Sequence, residues 1–397
     1  MAIQSTNAPV SSWNMRSLIY DPKFRSYFFQ AITILLLVAI VWWIADNTIE
    51  NLQRSNTASG FQFLSSRAGF DIGQSLIGYS SDATYGRALL VGLLNTLLVA
   101  VTGIITATII GFVVGIGRLS HNWLIAKLCT VYVEVFRNIP PLLVIFFWYS
   151  GVLAVLPQPR ESLALPFSMF LNNRGLAFPK PIFGDGFWLV SVALLIGIVA
   201  AMFVTRWAHQ RQDRTGQQFP SIWASIALIL GLPALTFLAI GSPLTFDYPV
   251  AGRFNLTGGS VIGPEFASLY LALSFYTAAF IAEIVRAGIL GVSKGQTEAS
   301  AALGLKPAKI TRLVVVPQAM RIIIPPLTSQ YLNLTKNSSL AIAIGFADLV
   351  AVGGTILNQT GQAIEVVAIW MIVYLSLSIL TSIFMNWFNA RMALVER

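Results

Sequence analysis

Charged side chains are scarce in this chain of 397 residues, of which only 10% are Asp, Glu, Lys or Arg. Asp348 falls about midway along a predicted membrane span, where a carboxylate is costly and is by default a functional candidate. Lys336, Asn337, Ser338 and Ser339 lie at the start of the same span and offer hydrogen-bond donors, together with the exposed amides of a helix N-terminus. The carboxylate could bind a cationic group, and the hydrogen-bond donors could bind an anionic group. Alternatively, the Lys336 side chain extends to lipid phosphates.

Two acid–base pairs lie near the ends of apolar stretches. Glu134 precedes Arg137 by three residues, and Glu283 precedes Arg286 by three residues. Residues at this spacing are neighbours on a helix surface, so each pair is interpreted first as an intrahelical ion pair that neutralises its own charge.

The remaining composition argues against several function classes. Cys129 is the only cysteine, and His121 and His209 are the only histidines, so neither a disulfide framework nor a thiolate or histidine metal site is expected. We assign no catalytic residue. The net charge of +9 suggests a nucleic-acid binder, but no basic stripe is interleaved with exposed aromatic residues. A G-x-x-x-x-G-K-[ST] loop is also absent, so this chain cannot hydrolyse ATP by that device.

The apolar runs that must position these residues are long enough to cross a bilayer, which takes about 20 residues for a helix. With 56% hydrophobic residues, the sequence predicts an all-α polytopic membrane protein. We predict eight spans, at about 28–45, 89–115, 131–155, 187–206, 221–241, 266–286, 337–355 and 365–388. The first is interpreted as a retained span with Trp42 and Trp43 at the interface, because no small-residue cleavage site follows it.

The distribution of basic residues predicts the orientation of these spans. With the N-terminus in the cytoplasm, the inner segments hold 18 Lys and Arg residues and the outer loops hold 7. Basic residues collect on cytoplasmic loops, so both termini are expected in the cytoplasm.

The chain divides unevenly along its length. We predict a cytoplasmic N-terminal segment, an extra first span with its outer loop, a core in two parts, an insertion between those parts and a cytoplasmic tail. The N-terminal segment is 1–27, and the first span with its outer loop is 28–88. The two core parts are 89–155 and 265–390, the insertion is 156–264, and the tail is 391–397. The insertion is Pro- and Gly-rich in its outer loops, and its role is open. No internal repeat of the kind found in many secondary transporters is visible.

Residues 293–319 form a small, cationic segment that does not suit a bilayer. Ser293 and Gln296 have the spacing of a capping box, which predicts a helix of about ten residues from Lys294. Gly304 is expected to end it in a left-handed conformation. A second helix is predicted from Pro307 and is expected to be interrupted by Pro317.

Small and polar residues elsewhere predict how the helices meet. Asn95 and Thr96 are expected to form hydrogen bonds between helices. Gly111 and Gly115 allow a close helix approach, either inside one subunit or between subunits. Pro140 and Pro141 predict a helix break at Arg137–Pro141.

Six stretches in order resemble the permeases of ABC importers of the polar amino-acid family. The segment 293–319 is similar to their "EAA" loop, with Glu298, Ala299, Gly304 and Pro317 at the motif positions, although Ser300 replaces the usual second alanine. The others are GLLNTLLVA (92–100), YVEVFRNIPPLL (132–143), AAFIAEIVRAGI (278–289), VVVPQAMRIIIPP (314–326) and TKNSSL (335–340). The extra first span and the insertion resemble the longer permease of general L-amino-acid uptake systems.

The resemblance implies a role for each of these segments. The EAA loop would be a coupling helix, with Glu298, Ala299, Leu303, Gly304 and Pro317 bearing on a separate ATPase subunit that uses ATP and Mg. The partners would be a second permease, most simply in a heterodimer, a periplasmic amino-acid-binding protein, an L-amino-acid substrate and membrane lipid. Asp348 and the donors at 336–339 are candidates for the substrate's ammonium and carboxylate, and the two acid–base pairs are candidates for a gate at the inner mouth.

Two other function classes compete with an importer subunit of the bacterial inner membrane. An ion-coupled secondary amino-acid transporter needs no motor, but it should show repeats and more intramembrane acids. A membrane enzyme should show a nucleophile–base signature, which is not visible. Which amino acids are carried, and whether one or two permeases line the pocket, stays open.

Overall fold

The structure is a computed structural model that describes residues 22–54, 60–252 and 255–392. Most of the predicted N-terminal segment 1–27 and of the tail 391–397 therefore lies outside the described residues. Helices dominate, and the order of the α-helices is as follows. They are α1 (Pro22–Arg54), α2 (Tyr85–Gly117), α3 (Trp123–Asn138), α4 (Pro141–Phe146), α5 (Trp188–Thr215), α6 (Ser221–Ile226), α7 (Leu232–Ala239), α8 (Pro264–Leu290), α9 (Lys294–Ala302), α10 (Pro307–Ile310), α11 (Val316–Asn337), α12 (Leu349–Thr360) and α13 (Ala363–Met392).

Short π-helical segments extend or join several of these helices. The segments Phe147–Leu153, Ala227–Gly231 and Thr311–Val315 follow α4, α6 and α10. Among the described residues, seven continuous stretches are long and apolar enough to span a membrane. They are Pro22–Thr48, Tyr85–Gly117, Phe187–Thr215, Ser221–Ala239, Pro264–Leu290, Pro307–Ile344 and Ala363–Arg391. The bent pair α3–α4 makes an eighth if it is one span.

The bundle is built around the parallel pair α2 and α8, which meet through small residues. A Cβ added at Gly111 would lie 2.5 Å from the Cγ2 of Ile281, and one at Gly115 would lie 2.7 Å from the carbonyl oxygen of Ala282. The two helices therefore approach as closely as the G-x-x-x-G spacing permits. This confirms the close approach and places it inside one subunit.

The predicted break at Arg137–Pro141 is confirmed. The helix α3 ends at Asn138, α4 begins at Pro141, and the two axes differ by 110°. Proline at 140 and 141 removes two backbone donors, which favours a break. The predicted single span at 131–155 is therefore a bent pair that begins at Trp123 and ends at Leu153.

The predicted span at 337–355 is wrong. The membrane stretch is Pro307–Ile344, which ends in a 3-10 helix over Ser338–Ile344. Gly345 then turns with a φ of 78°, and α12 covers only 12 residues, too few to cross a bilayer. This stretch is the least apolar of the seven and has two prolines inside α11, so its sequence resembles a membrane span less than the other six do.

The insertion carries short strands that the prediction of an all-α fold did not include. A four-stranded antiparallel sheet has the order β1 (Leu163–Leu165), β2 (Met169–Asn172), β3 (Gly175–Phe178) and β8 (Ser260–Ile262). Two ribbons pair β4 (Lys180–Phe183) with β5 (Leu244–Asp247), and β6 (Val250–Ala251) with β7 (Leu256–Thr257). The β8 strand leads directly into α8, so the sheet lies at the end of α8 opposite to α9. The helical membrane architecture itself is as predicted.

Candidate functional site

The helix α9 is a nine-residue rod at one end of the bundle, and it begins differently from the prediction. Ser293 occupies the N-cap position but its side chain makes no capping hydrogen bond. The N–H of Gln296 instead donates to the carbonyl oxygen of Ser293, at 3.0 Å. The Gln296 side chain lies 3.4 Å from the Nε2 of Gln318, on α11. The predicted capping box is therefore wrong, because Gln296 joins α9 to the bundle.

One face of α9 is anchored and the other is free. Ser300 is buried against the bundle, whereas Glu298 and Ala299 are exposed. Leu303, which follows the last turn, is 82% exposed. Gly304 has a φ of 77°, the left-handed conformation that was predicted. Glu298, Ala299 and Leu303 together leave this side of α9 open to a partner.

Pro317 does not interrupt the helix that follows, so this prediction is wrong. The π-helical turn Thr311–Val315 comes immediately before, and Pro317 occupies the first turn of α11, where its missing N–H is not needed. The chain therefore runs as one helical rod from Pro307 to Asn337. This rod follows α9 directly along the chain, because it begins five residues after Ala302.

A charge cluster joins three helices at the same end of the bundle. Glu283 of α8 accepts hydrogen bonds from Arg118, at the end of α2, and from Arg286, one turn along its own helix. Glu283 and Arg286 form the intrahelical ion pair that their spacing predicted. Arg137 of α3 lies 3.9 Å from Glu283, and Glu134 lies 4.0 Å from Arg118. The predicted intrahelical pair of Glu134 with Arg137 is therefore wrong: both side chains reach other helices instead.

Asp348 does not lie midway along a span, contrary to the prediction. It is the N-cap residue of α12, and one carboxylate oxygen accepts from the N–H of Ala351 at 2.8 Å. Its side chain is fully buried. Lys336 and Asn337 end α11 rather than beginning a helix, so no free helix amides surround them. The prediction failed because the left-handed turn at Gly345 separates the two groups.

Some of the predicted donors nevertheless line a cavity. Lys336 and Ser339 face a space of about 330 Å³ together with Trp370 and Tyr374 of α13. Ser338 is fully buried and donates to the carbonyl oxygen of Thr335. Trp370 and Tyr374 carry no sequence signal of this role, since aromatic residues are common in apolar helices. Leu334 packs against Gly103 in the middle of α2, so the exposed Lys336 lies close to mid-depth in the bundle.

The prediction of hydrogen bonds between helices is confirmed for Thr96, whereas Asn95 bonds to loop residues that precede α2 and α12. Both residues are fully buried. The Asn95 amide donates to the carbonyl oxygens of Gln74 and Ala347, each at 2.9 Å. The Thr96 hydroxyl accepts from the N–H of Leu349 at 3.1 Å. These contacts fix the start of α12 against α2.

A second cavity, of about 480 Å³, lies at the sheet end of the bundle. Its lining comes from residues 73–75 and 345–347, and from Val261, Gly263 and Glu265 around the start of α8. Of the described residues in this lining, Glu265 is the only ionisable one. Its position in the sequence carries no signal of such a role, because an acid in the first turn of a helix is an ordinary feature.

Comparison with known proteins identifies the relatives of this chain. Residues 193–394 match the family described as binding-protein-dependent transport system inner membrane component. The general L-amino acid transport system permease protein AapQ of Rhizobium johnstonii is 75% identical over 396 residues, which cover 100% of this chain and 99% of the relative.

Two further relatives are similar along nearly their whole lengths. The putative amino-acid ABC transporter permease protein YhdX of Escherichia coli is 50% identical, over 95% of this chain and 96% of its own length. The glutamate/glutamine/aspartate/asparagine transport system permease protein BztB of Rhodobacter capsulatus is 42% identical, over 100% of both chains.

Proposed function

Since this chain belongs to the family of binding-protein-dependent transport system inner membrane components, we propose that it moves L-amino acids through the membrane while a separate ATPase subunit hydrolyses ATP. The family is the one that the sequence motifs predicted. It makes the chain a multi-pass permease subunit of an ABC transporter and not an enzyme. It also favours this function over an ion-coupled secondary transporter.

The free face of α9 is the observation that carries the coupling role. Glu298, Ala299 and the 82% exposed Leu303 form a surface that a helix-binding groove on an ATPase subunit would cover. The rod from Pro307 to Asn337 begins four residues beyond Leu303. ATP and Mg act on the partner, and this chain supplies the lever that converts closure of the ATPase dimer into helix movement.

The cavity around Lys336 is the proposed contact with the substrate's carboxylate. A charged side chain at mid-depth is expensive unless it faces water or a protein partner. Among the described residues, no acid forms an ion pair with Lys336. Asn337 and Ser339 add neighbouring polar groups. Asp348 and Ser338 are buried, so their part is to hold the cavity wall, which revises the direct contact expected from the sequence.

The charge cluster is the proposed inner gate. Arg118, Arg137 and Arg286 surround Glu283 where α2, α3 and α8 end beside α9. Separating these helices requires breaking the ion pairs, so the cluster stabilises one arrangement of the mouth. An adjacent movement of α9 is well placed to change that arrangement.

Partners and orientation complete the proposal. The exposed mid-depth position of Lys336 supports a pathway shared with a second permease, and the full-length similarity to permeases of amino-acid systems supports a heterodimer fed by a periplasmic binding protein. The excess of basic residues predicts that α9 and both termini lie in the cytoplasm. The 18 basic residues counted for the inner segments include Lys336; it lies in the membrane stretch Pro307–Ile344, and the preference holds without it.

Purification and uptake by the reconstituted complex test this function. The chain should co-purify with a P-loop ATPase, and a panel of L-amino acids should stimulate ATP hydrolysis and accumulate in proteoliposomes. Leu303→Ala should lower stimulated ATPase activity by about tenfold, as expected for an interface hot spot. Leu230→Ala removes an equally large, 64% exposed side chain in the insertion and is the matched control. Amino-acid uptake that needs no ATPase would disprove the proposal.

A further inference from the structure

The cavity at the sheet end of the bundle has one charged wall. Among the described lining residues Glu265 is the only ionisable one, and its carboxylate interacts electrostatically with the hydroxyl of Tyr149. No basic side chain among the residues that the structure describes forms an ion pair with Glu265. A carboxylate that lines a cavity and lacks a cationic partner favours a bound ammonium group.

The cavity walls are fixed by a residue behind them. The buried amide of Asn95 donates to Gln74 and to Ala347, and both residues line the cavity on different parts of the chain. This double hydrogen bond holds the two walls at a set distance. A pre-formed cavity loses less conformational freedom on binding, so it binds a small ligand at lower cost.

The position of the cavity relates it to the Lys336 cavity. Gly345, Phe346 and Ala347 line the Glu265 cavity, and Val350, three residues later, lines the Lys336 cavity. The two spaces therefore lie beside the same short segment, one offering a carboxylate and the other an ammonium group. Glu265 begins α8, whose 27 residues span about 40 Å to the end that leads into α9.

We propose that the Glu265 cavity is an entry subsite that binds the α-ammonium group of the amino acid before the carboxylate reaches Lys336. The inference rests on the proposed import of amino acids, and it adds the first recognition step on the side opposite α9. Ammonium is held by Glu265, with the Ser75 hydroxyl at the same wall. The carboxylate end of the substrate then points toward the segment that separates the cavities.

Cysteine modification in the reconstituted complex without its binding protein tests this subsite. Ser75→Cys, in a Cys129→Ser background, places a thiol in the cavity wall. A cationic methanethiosulfonate should modify it about fivefold faster than an anionic one of similar size, because the carboxylate attracts the cation. Glu265→Gln should remove this preference. Glu161→Gln, the same change at an exposed acid outside the cavity, should keep it.

Protection by ligands completes the test. An L-amino acid that the complex transports should slow modification of the Ser75→Cys thiol, whereas its N-acetylated form, which lacks the ammonium group, should not. Glu265→Gln should abolish the protection. Equal protection by both compounds, no protection, or protection that persists in Glu265→Gln would overturn the subsite. Uptake by the unmodified complex reports separately on the proposed function, so import without protection removes only this inference.

Discussion

Arg118 and Glu283 form an ion pair that fastens the end of α2 to α8, and the Arg118 side chain is only 10% exposed. The same carboxylate also accepts from Arg286, with an oxygen–nitrogen distance of 2.5 Å. A largely buried guanidinium that loses its carboxylate partner still has the free-energy cost of desolvation, with no ion pair to offset it. Breaking the pair should therefore cost more free energy than the attraction between the two charges contributes, because Arg118 would stay buried without a partner.

Loss of one member of this pair should destabilise the protein more than loss of both. Glu283→Ala alone should cost several kcal/mol, because it leaves Arg118 buried without its partner. Adding Arg118→Ala should recover part of that loss, with an interaction energy of about 1–3 kcal/mol. Thermal unfolding of the detergent-solubilised complex would measure the four-variant cycle. The exposed pair of Arg67 with Asp82 is the control and should give less than about 1 kcal/mol.

The Thr96 hydroxyl should be required for anchoring α12. Thr96→Val keeps the shape but leaves the buried N–H of Leu349 without an acceptor, at a cost of about 1–3 kcal/mol. Thr355→Val is the matched control, since among the described residues its hydroxyl bonds to the Ala351 carbonyl oxygen of its own helix and to no other group. Hydrogen exchange of α12 should speed up in the first variant and not in the second. Equal exchange in both would show that this bond does not hold the helix.

Larger side chains at the α2–α8 contact should separate the helices. A Cβ at Gly115 would lie 2.7 Å from a backbone oxygen, which cannot move aside as a side chain can. Gly115→Leu should therefore destabilise the bundle by more than about 3 kcal/mol or prevent its assembly. Gly231→Ala, in a helical position with no atom within 4 Å of the new Cβ, should be tolerated. Yield and melting temperature of the purified chain would compare the two.

The conformation of Gly304 should decide coupling without affecting assembly. Its φ of 77° excludes β-branched residues, but space is open around it, so backbone strain is the only penalty. Gly304→Val should lose amino-acid uptake while remaining in the membrane, and Gly304→Asn, which tolerates this conformation, should keep most of it. Charge reversal by Glu298→Lys on the exposed face should also abolish uptake. Normal transport by both Gly304→Val and Glu298→Lys would argue against the coupling role of α9.

The sequence was most informative where apolar runs were long and uninterrupted. The spans at α1, α2, α5, α8 and α13 follow from hydropathy alone, and the break at Pro140 and Pro141 follows from proline chemistry. The stretch Pro307–Ile344 was mispredicted because it holds basic residues and prolines that neighbouring helices accommodate. Hydropathy reports how well a helix suits contact with lipid. A helix that contacts protein on several sides can therefore hold more polar residues and prolines.

Of the candidate sites, those that a local motif determines could be predicted from the sequence, and those that distant segments form could not. The exposed face of α9 and the left-handed Gly304 could be predicted, because a local motif determines both. The Glu265 cavity could not be predicted, since it forms only when residues 73–75 and 345–347 meet at the start of α8. Tyr374 and Trp370 likewise gain their place beside Lys336 from packing of α13. Segments that are far apart in the sequence form these cavities, so no local sequence pattern predicts them.

The pairing of Phe178 on β3 with Ser260 on β8 places the two ends of a long excursion side by side. Everything between them, including the helices α5 to α7, leaves the sheet at one point and returns beside it. Such a segment can change in length without moving the sheet, because the strands that flank it already pair with each other. The excursion is therefore a natural candidate for exchange between related transporters that share the same helical bundle.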